Sequence, residues 1–292
     1  MRQRLVINEE LEQSESIKML AEAYQEISVT KIQSTRGIVL NNREYLEKLS
    51  EIFYDVRSSY LIKLSQLFKK KGQKKASSES FLVKNGKTVA VFMSANSKLY
   101  GGIVPKVYDY FIEYITNNPS DIVIVGKLGE LIYNQSNIDK PYLYFELSDV
   151  EVNIEELLPL IAKVLEYEKV MVFYGKFVNI LNQSASFSSI SGQAPFPQGV
   201  ARKEEKEKFI FEPSLEKVLV FFESQIIYAL FKQTVNESVL ARFASRITAM
   251  EEVLQNVDKK LKDLENQKKR AKRYNLQKKQ LETAAAVLYA PR

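Results

Sequence analysis

The sequence predicts an α+β fold in which long N- and C-terminal helices pair antiparallel as a coiled coil around an inserted α/β domain of Rossmann-like type. Three observations predict it. Residues 9–71 contain no proline and a single glycine, Gly37. Residues 214–289 contain neither glycine nor proline. Between these stretches, short β-branched apolar runs alternate with segments whose apolar residues keep helical spacing, the pattern of parallel strands joined by crossover helices. The expected boundaries are 1–71 and 212–292 for the paired helices and 80–211 for the inserted domain.

The first segment reads as one long helix or two in sequence. Ile17, Leu20, Tyr24 and Ile27 step by three and four, as do Leu46, Leu49, Phe53, Val56 and Tyr60, which predicts a stripe facing a partner helix. The polar stretch from Lys69 to Ser80 has the composition of an exposed connection. Strands are predicted over 88–95, 121–126 and 169–177, helices over 104–116 and 155–167, and an extended segment of alternating exposure over 178–189. A proline-rich loop follows at 193–199, and Phe209 to Phe211 close the middle section. Pro213 and Ser214 then mark the start of the last helix, with Ser214 as its N-cap. At ~1.5 Å per residue that helix would run on the order of 110 Å.

Within it, Phe243, Ile247, Met250, Leu254, Val257, Leu261 and Leu264 alternate by four and three, the a/d seam of a coiled coil over three heptads. The next positions in register are Lys268, Ala271, Asn275 and Lys278, none able to fill a dry seam. The partner must change there. Lys268, Lys269, Arg270, Lys272, Arg273, Lys278 and Lys279 place seven basic residues within twelve with no acid among them, either a solvated face or a surface awaiting negative charge. Leu276, Leu281, Ala284, Ala285, Val287 and Leu288 make the end of the helix apolar.

Composition narrows the function further. The 292 residues include no histidine and no cysteine, which removes disulfides, ordinary zinc sites, Cys-His dyads and Ser-His-Asp triads. No catalytic residue, metal or cofactor of its own is expected. Gly101-Gly102 lacks the spacing that cradles phosphates. No apolar run approaches the ~20 residues of a membrane helix, and the first residues are not of signal-peptide type, so a cytoplasmic location is expected. The net charge of +6 permits nucleic acid, anionic lipid or an acidic protein as partner. A nucleic-acid-binding or scaffolding coiled coil is the alternative reading. Against it, a basic-region zipper places its basic run before the heptads, and here the run follows them. An enzyme would need a cleft served by carboxylates such as Asp121 or Glu130, and no paired acid–base spacing stands out.

The residues also resemble a known family. IKMLAEAYQEISVTKIQSTRGIVLNNREYLEKL (17–49) is similar to the N-terminal shaft helix of ATP synthase gamma subunits. SANSKLYGGIVPKVYDYF (94–111) resembles the family's strand–loop–helix entry, and IVIVGKLG (122–129) its next strand. The terminal stretch resembles the family's final helix, without a gap from Ala249 onward. The resemblance implies a central shaft of a rotary F-type or F-type-like ATPase, transmitting torque between a ring of nucleotide-binding alpha- and beta-type subunits and a partner below. That partner would be a membrane ring or another driven machine, with an epsilon-like subunit on the foot, no nucleic acid, and a place on the inner face of the cell membrane. It also implies that Lys268, Lys269, Arg270, Lys272 and Arg273 touch the catalytic head, and that Leu281, Ala284, Ala285 and Leu288 form a tip in an apolar sleeve. The chain departs from the family at Glu15, Glu22 and Glu26, where the first helix is usually basic. It departs again at Arg242, where the family usually has an acid, and at Ala285-Ala286, where it usually has paired glycines.

Overall fold

The structure is a computed structural model that describes residues 2–69, 85–136, 138–190 and 212–288, with side chains placed over 5–56, 85–136, 138–190 and 212–284. The polar connection after residue 69, the proline-rich loop and residues 209–211 lie outside the described residues. The chain divides into two compact units, Met1–Val29 with Arg246–Arg292, and Thr30–Ser245. Two long helices, α1 (Arg2–Lys69) and α5 (Leu215–Leu288), contribute to both.

α1 is a single helix, and Gly37 does not interrupt it. A helical glycine costs about 1 kcal/mol relative to alanine. This one is exposed with open space around it, while Thr35 and Val39 on either side are buried.

In the first unit α1 and α5 run antiparallel. Lys18 Nζ lies 2.8 Å from Asp258 Oδ1, and Gln25 Nε2 donates to Glu251 Oε2 at 3.1 Å. The Arg246 guanidinium sits 5.3 Å from the centre of the Tyr24 ring. The face α1 buries here is not the one its hydrophobicity advertises. Ile17, Leu20 and Ile27 are 48%, 59% and 51% exposed, whereas Ile7, Ser14, Ala21 and Ser28, seven apart, are buried. In the register set by Lys18–Asp258, Ser28, Ala21 and Ser14 come about level with Met250, Val257 and Leu264, all buried. Small residues on one helix face large ones on the other, which fills each layer without overpacking. The buried serines stay satisfied by bonding their own helix, Ser14 Oγ to Glu10 O at 2.7 Å and Ser28 Oγ to Tyr24 O at 2.6 Å.

The second unit is built on a five-stranded sheet of order β3-β2-β1-β4-β5. Its strands are β1 (Thr88–Met93), β2 (Asp121–Val125), β3 (Tyr142–Phe145), β4 (Lys169–Phe177) and β5 (Gln183–Ile190). The first four pair in parallel and β5 runs antiparallel to β4. The crossover helices are α2 (Ile103–Asn117), α3 (Lys127–Gln135) and α4 (Ile154–Val164). Alternation along β1 sorts the two faces. Val89, Val91 and Met93 join Leu160, Val164, Ile227 and Phe231 in one cluster beneath α4 and α5. Phe92 points the other way, stacked on Phe111 of α2 at 5.3 Å between ring centres. Each fully buried side chain of this size contributes about 1.5–3 kcal/mol.

α5 opens with the expected cap, the Lys217 N–H donating to Ser214 Oγ at 3.3 Å. One stretch of this helix is long and apolar enough to cross a membrane by length and composition alone, and the reason is visible in the core. Leu219 and Ile226 pack with Leu49, Phe53 and Val56 of α1, while Phe231 and Val235 lie under the sheet. The stripe expected at Leu46, Leu49, Phe53 and Val56 is buried.

Candidate functional site

In the first unit, the character of α5 changes beyond Leu264, about level with residue 12 of α1, and the antiparallel register brings the start of α1 level with about residue 274. Ile247, Leu254 and Leu261 are half-buried, and Met250, Val257 and Leu264 are buried. From Glu265 to Ala284 every residue but Ala271 is exposed. The basic residues Lys268, Lys269, Arg270, Lys272 and Arg273 all lie on this exposed stretch, as do Lys278 and Lys279. Two have carboxylates at the edge of ion-pair range, Lys269 with Glu265 and Lys278 with Glu282, each at 3.9 Å. Such exposed i,i+4 contacts are worth only tenths of a kcal/mol, so the run keeps its positive field. Leu281 is 71% exposed and Ala284 is exposed. Ala285 and Leu288 continue the helix, their side chains outside those described. This surface offers positive charge and then, at Leu281 and Ala284, exposed apolar side chains.

Phe243, first of the seven seam positions, falls in the second unit, where it meets the Tyr100 ring edge-on at 5.8 Å. Its neighbours show what became of the place where a sheet of this topology could hold a ligand. Strand order reverses between β1 and β4, and an open α/β sheet binds its ligands in the crevice beyond the strand ends at that point. Here α5 fills the crevice. Arg242, buried, donates to the Ser94 carbonyl at the end of β1 and lies 3.3 Å from Asp149 Oδ1. Its guanidinium is 5.5 Å from the Tyr100 ring centre. Asp149 also accepts from the N–H groups of Asn96 and Ser97, at 2.9 and 2.8 Å, and from Ser97 Oγ at 2.8 Å. At the end of β4, a Cβ on Gly175 would stand 2.9 Å from Ile103 and 3.1 Å from Ala241. Gly126, at φ +94°, closes the β2 side, where a Cβ would stand 2.7 Å from the Ala95 carbonyl oxygen. The turn at Gly101-Gly102 thus leads into a packed junction.

A second buried carboxylate ties three elements of this unit together. Glu237 on α5 is 3.2 Å from Arg43 Nη2 of α1, and Glu237 accepts from Gln233 Nε2 at 3.1 Å and from the Tyr174 hydroxyl of β4 at 3.4 Å. Burial, reinforced by the Glu237 charge, pushes the Tyr174 phenol up to about 12. Asn42 Nδ2 adds a buried bond to the Ala229 carbonyl at 3.0 Å. Sequence reasoning singled out Arg242 without finding Asp149, and missed Glu237 altogether. Each pairing joins residues far apart in the chain. Among the described residues, no group of acidic side chains is arranged to hold a metal ion.

Comparison with known proteins agrees with this geometry. The family model described as ATP synthase matches residues 5–278. The chain is 26% identical over 260 residues to the ATP synthase gamma chain of Christiangramia forsetii, covering 85% of each chain. It is 23% identical to that of Mycoplasma mycoides over 82% of each, and 22% identical to that of Cytophaga hutchinsonii over 91% of this chain and 92% of the relative. Among solved structures, a chain of the central stalk/c-ring structure of Tetrahymena thermophila mitochondrial ATP synthase superposes with a TM-score of 0.55 at 17% identity, over 80% of this chain and 98% of that one. A chain of the Euglena gracilis mitochondrial ATP synthase gives 0.51 at 14%, over 88% and 93%. These two likenesses show the fold.

Proposed function

Since the chain belongs to the ATP synthase gamma-chain family, we propose that it is the central-shaft subunit of a rotary F-type or F-type-like ATPase and carries torque without chemistry of its own. The observation that carries this reading is the antiparallel α1–α5 pair of the first unit, with α5 continuing beyond Leu264 as an exposed, basic and then apolar helix. A helix of that character gains by being surrounded. Lys268, Lys269, Arg270, Lys272 and Arg273 suit loops of a surrounding ring of nucleotide-binding subunits, because long exposed side chains make weak contacts that exchange as the shaft turns. Leu281, Ala284, Ala285 and Leu288 suit an apolar sleeve, which holds an axis while asking for few hydrogen bonds. The seam from Ile247 to Leu264 supplies stiffness by burying each helix against the other.

The solved relatives are complexes with a c-ring, and one includes F1. By the same reading this chain joins a nucleotide-binding head to a membrane ring or another driven machine, lies peripheral to the membrane on the cytoplasmic side, and offers the sheet domain to an epsilon-like subunit. The test is to purify the tagged chain from its native cell under mild conditions, identify what accompanies it, and assay ATPase activity with and without it. Two Walker-type nucleotide-binding subunits in excess over the chain are expected. A chain that comes alone, or with nucleic acid, would overturn the reading.

A further inference from the structure

Two loops of the second unit, the one after β1 and the one after β3, meet where α5 fills the crevice beyond the strand ends, and the groups they bring together have the chemistry of an oxyanion site. The N–H groups of Asn96 and Ser97 converge on one point, and Ser97 Oγ and Arg242, whose side chain is 8% exposed, join them. Successive backbone N–H groups form a concavity that holds anions, and a guanidinium adds the positive charge that strengthens its bonds to a carboxylate or a phosphate. The position, beyond the ends of β1 and β4, is also where an open sheet of this order holds its ligands.

The anion that fills the site belongs to the chain. Asp149 Oδ1 accepts from the Asn96 N–H at 2.9 Å and lies 3.3 Å from Arg242 Nη1. Oδ2 accepts from the Ser97 N–H and from Ser97 Oγ, each at 2.8 Å. Both oxygens are therefore occupied, and the Asp149 side chain is 10% exposed. The chain just before the carboxylate is held as well, Asn96 Nδ2 donating to the Leu147 carbonyl and the Ser148 N–H to Glu156 Oε2, each at 2.7 Å. A group tethered in this way competes at an effective concentration above that of free anions.

We propose that this is an oxyanion site of carboxylate size whose resident ligand is the chain's own Asp149, and that the tethered ligand keeps free phosphate and nucleotide phosphates out of the seat of α5. An empty site would leave a buried guanidinium uncompensated, at a cost well above the worth of a solvated pair, so an anion must be present whenever α5 is seated. Supplying it from within makes the junction indifferent to the phosphate around it. That suits a chain working beside nucleotide-binding subunits, and it holds whatever the shaft drives.

The test compares the full chain in sodium chloride, sodium formate and sodium phosphate at equal ionic strength and pH. In the unaltered chain the Asn96 and Ser97 amide protons are expected to exchange slowly, although Ser97 is exposed, and their NMR resonances to be the same in each salt. Exchange at the rate of an unprotected loop, or a saturable shift in phosphate, would overturn the proposal. Asp149→Ala empties a space the size of formate. At about ten times its dissociation constant, formate is expected to raise the Tm of this variant by about 3–6 °C more than that of the unaltered chain, and the bulkier phosphate by less. Neither Asp149→Ala/Arg242→Met, which lacks the guanidinium, nor Asp149→Asn, whose carboxamide still fills the space, is expected to gain. No formate-specific gain in Asp149→Ala, or an equal gain in either control, would overturn the proposal. Should Asp149→Ala fail to fold in chloride, folding in formate alone is the expected result, and if it folds in neither, the amide exchange of the unaltered chain decides.

Discussion

Asp149→Ala removes the acceptor on which the junction of α5 with the sheet converges. Its carboxylate takes bonds from Asn96, from Ser97 twice, and from Arg242, whose side chain is 8% exposed. The alanine variant keeps the Arg242 guanidinium buried while depriving it of that carboxylate. Breaking a buried pair from one side costs about 3–5 kcal/mol. Ser97 is exposed, so water can replace part of what it loses, and the low end, about 3 kcal/mol, is expected. For a unit of this size that corresponds to a fall of about 6–12 °C in Tm, read from thermal unfolding by circular dichroism. The double variant Asp149→Ala/Arg242→Met removes the buried charge as well and should recover more than half of the loss, because an apolar side chain in that packed site leaves no charge to compensate. A loss below about 1 kcal/mol, the scale of a solvated pair, would refute the argument. So would a double variant no more stable than the single one.

Ala21→Leu makes α1 more apolar and should still destabilise it by about 1–3 kcal/mol, since the position is 2% exposed and level with Val257; a stabilised variant in urea unfolding would contradict the small-against-large seam. The raised Tyr174 phenol makes a signed prediction. With its folded value near 12 against 10 unfolded, its stabilising contribution is complete below about pH 10 and is lost as pH climbs towards 12. Stability should therefore fall across that window and fall less steeply in Tyr174→Phe; equal slopes would show that the phenol does not titrate as described. Lys272→Glu with Arg273→Glu should leave the melting of the isolated chain within about 0.5 kcal/mol, because both are exposed. In the assembled complex the same pair should slow ATP turnover, and unchanged turnover would remove these two residues from the head contact.

How much of this was readable in the residues depends on how many segments had to agree. β4 was legible end to end because Val170 to Tyr174 is apolar on both faces and both faces are covered. α5 was legible because nothing in it could stop a helix. α3 and β3 went unread for local reasons. Gly129 looks like a turn residue, yet it lies inside α3, where a Cβ would stand 2.6 Å from Ser94 Cβ and the helix needs that closeness to the sheet. β3 is four residues long and at best half-buried. The basic run and the apolar tip were plain in composition. The seam of α1 in the first unit is the instructive failure. Hydrophobicity pointed to Ile17, Leu20 and Ile27, because the positions that pack, Ser14, Ala21 and Ser28, carry almost no hydrophobic signal. Their spacing of seven acquires meaning only beside Met250, Val257 and Leu264, also seven apart on the other helix. A seam made of small residues is specified by two segments jointly. Such a seam frees the larger apolar residues of α1, Ile17, Leu20 and Ile27, to face outward.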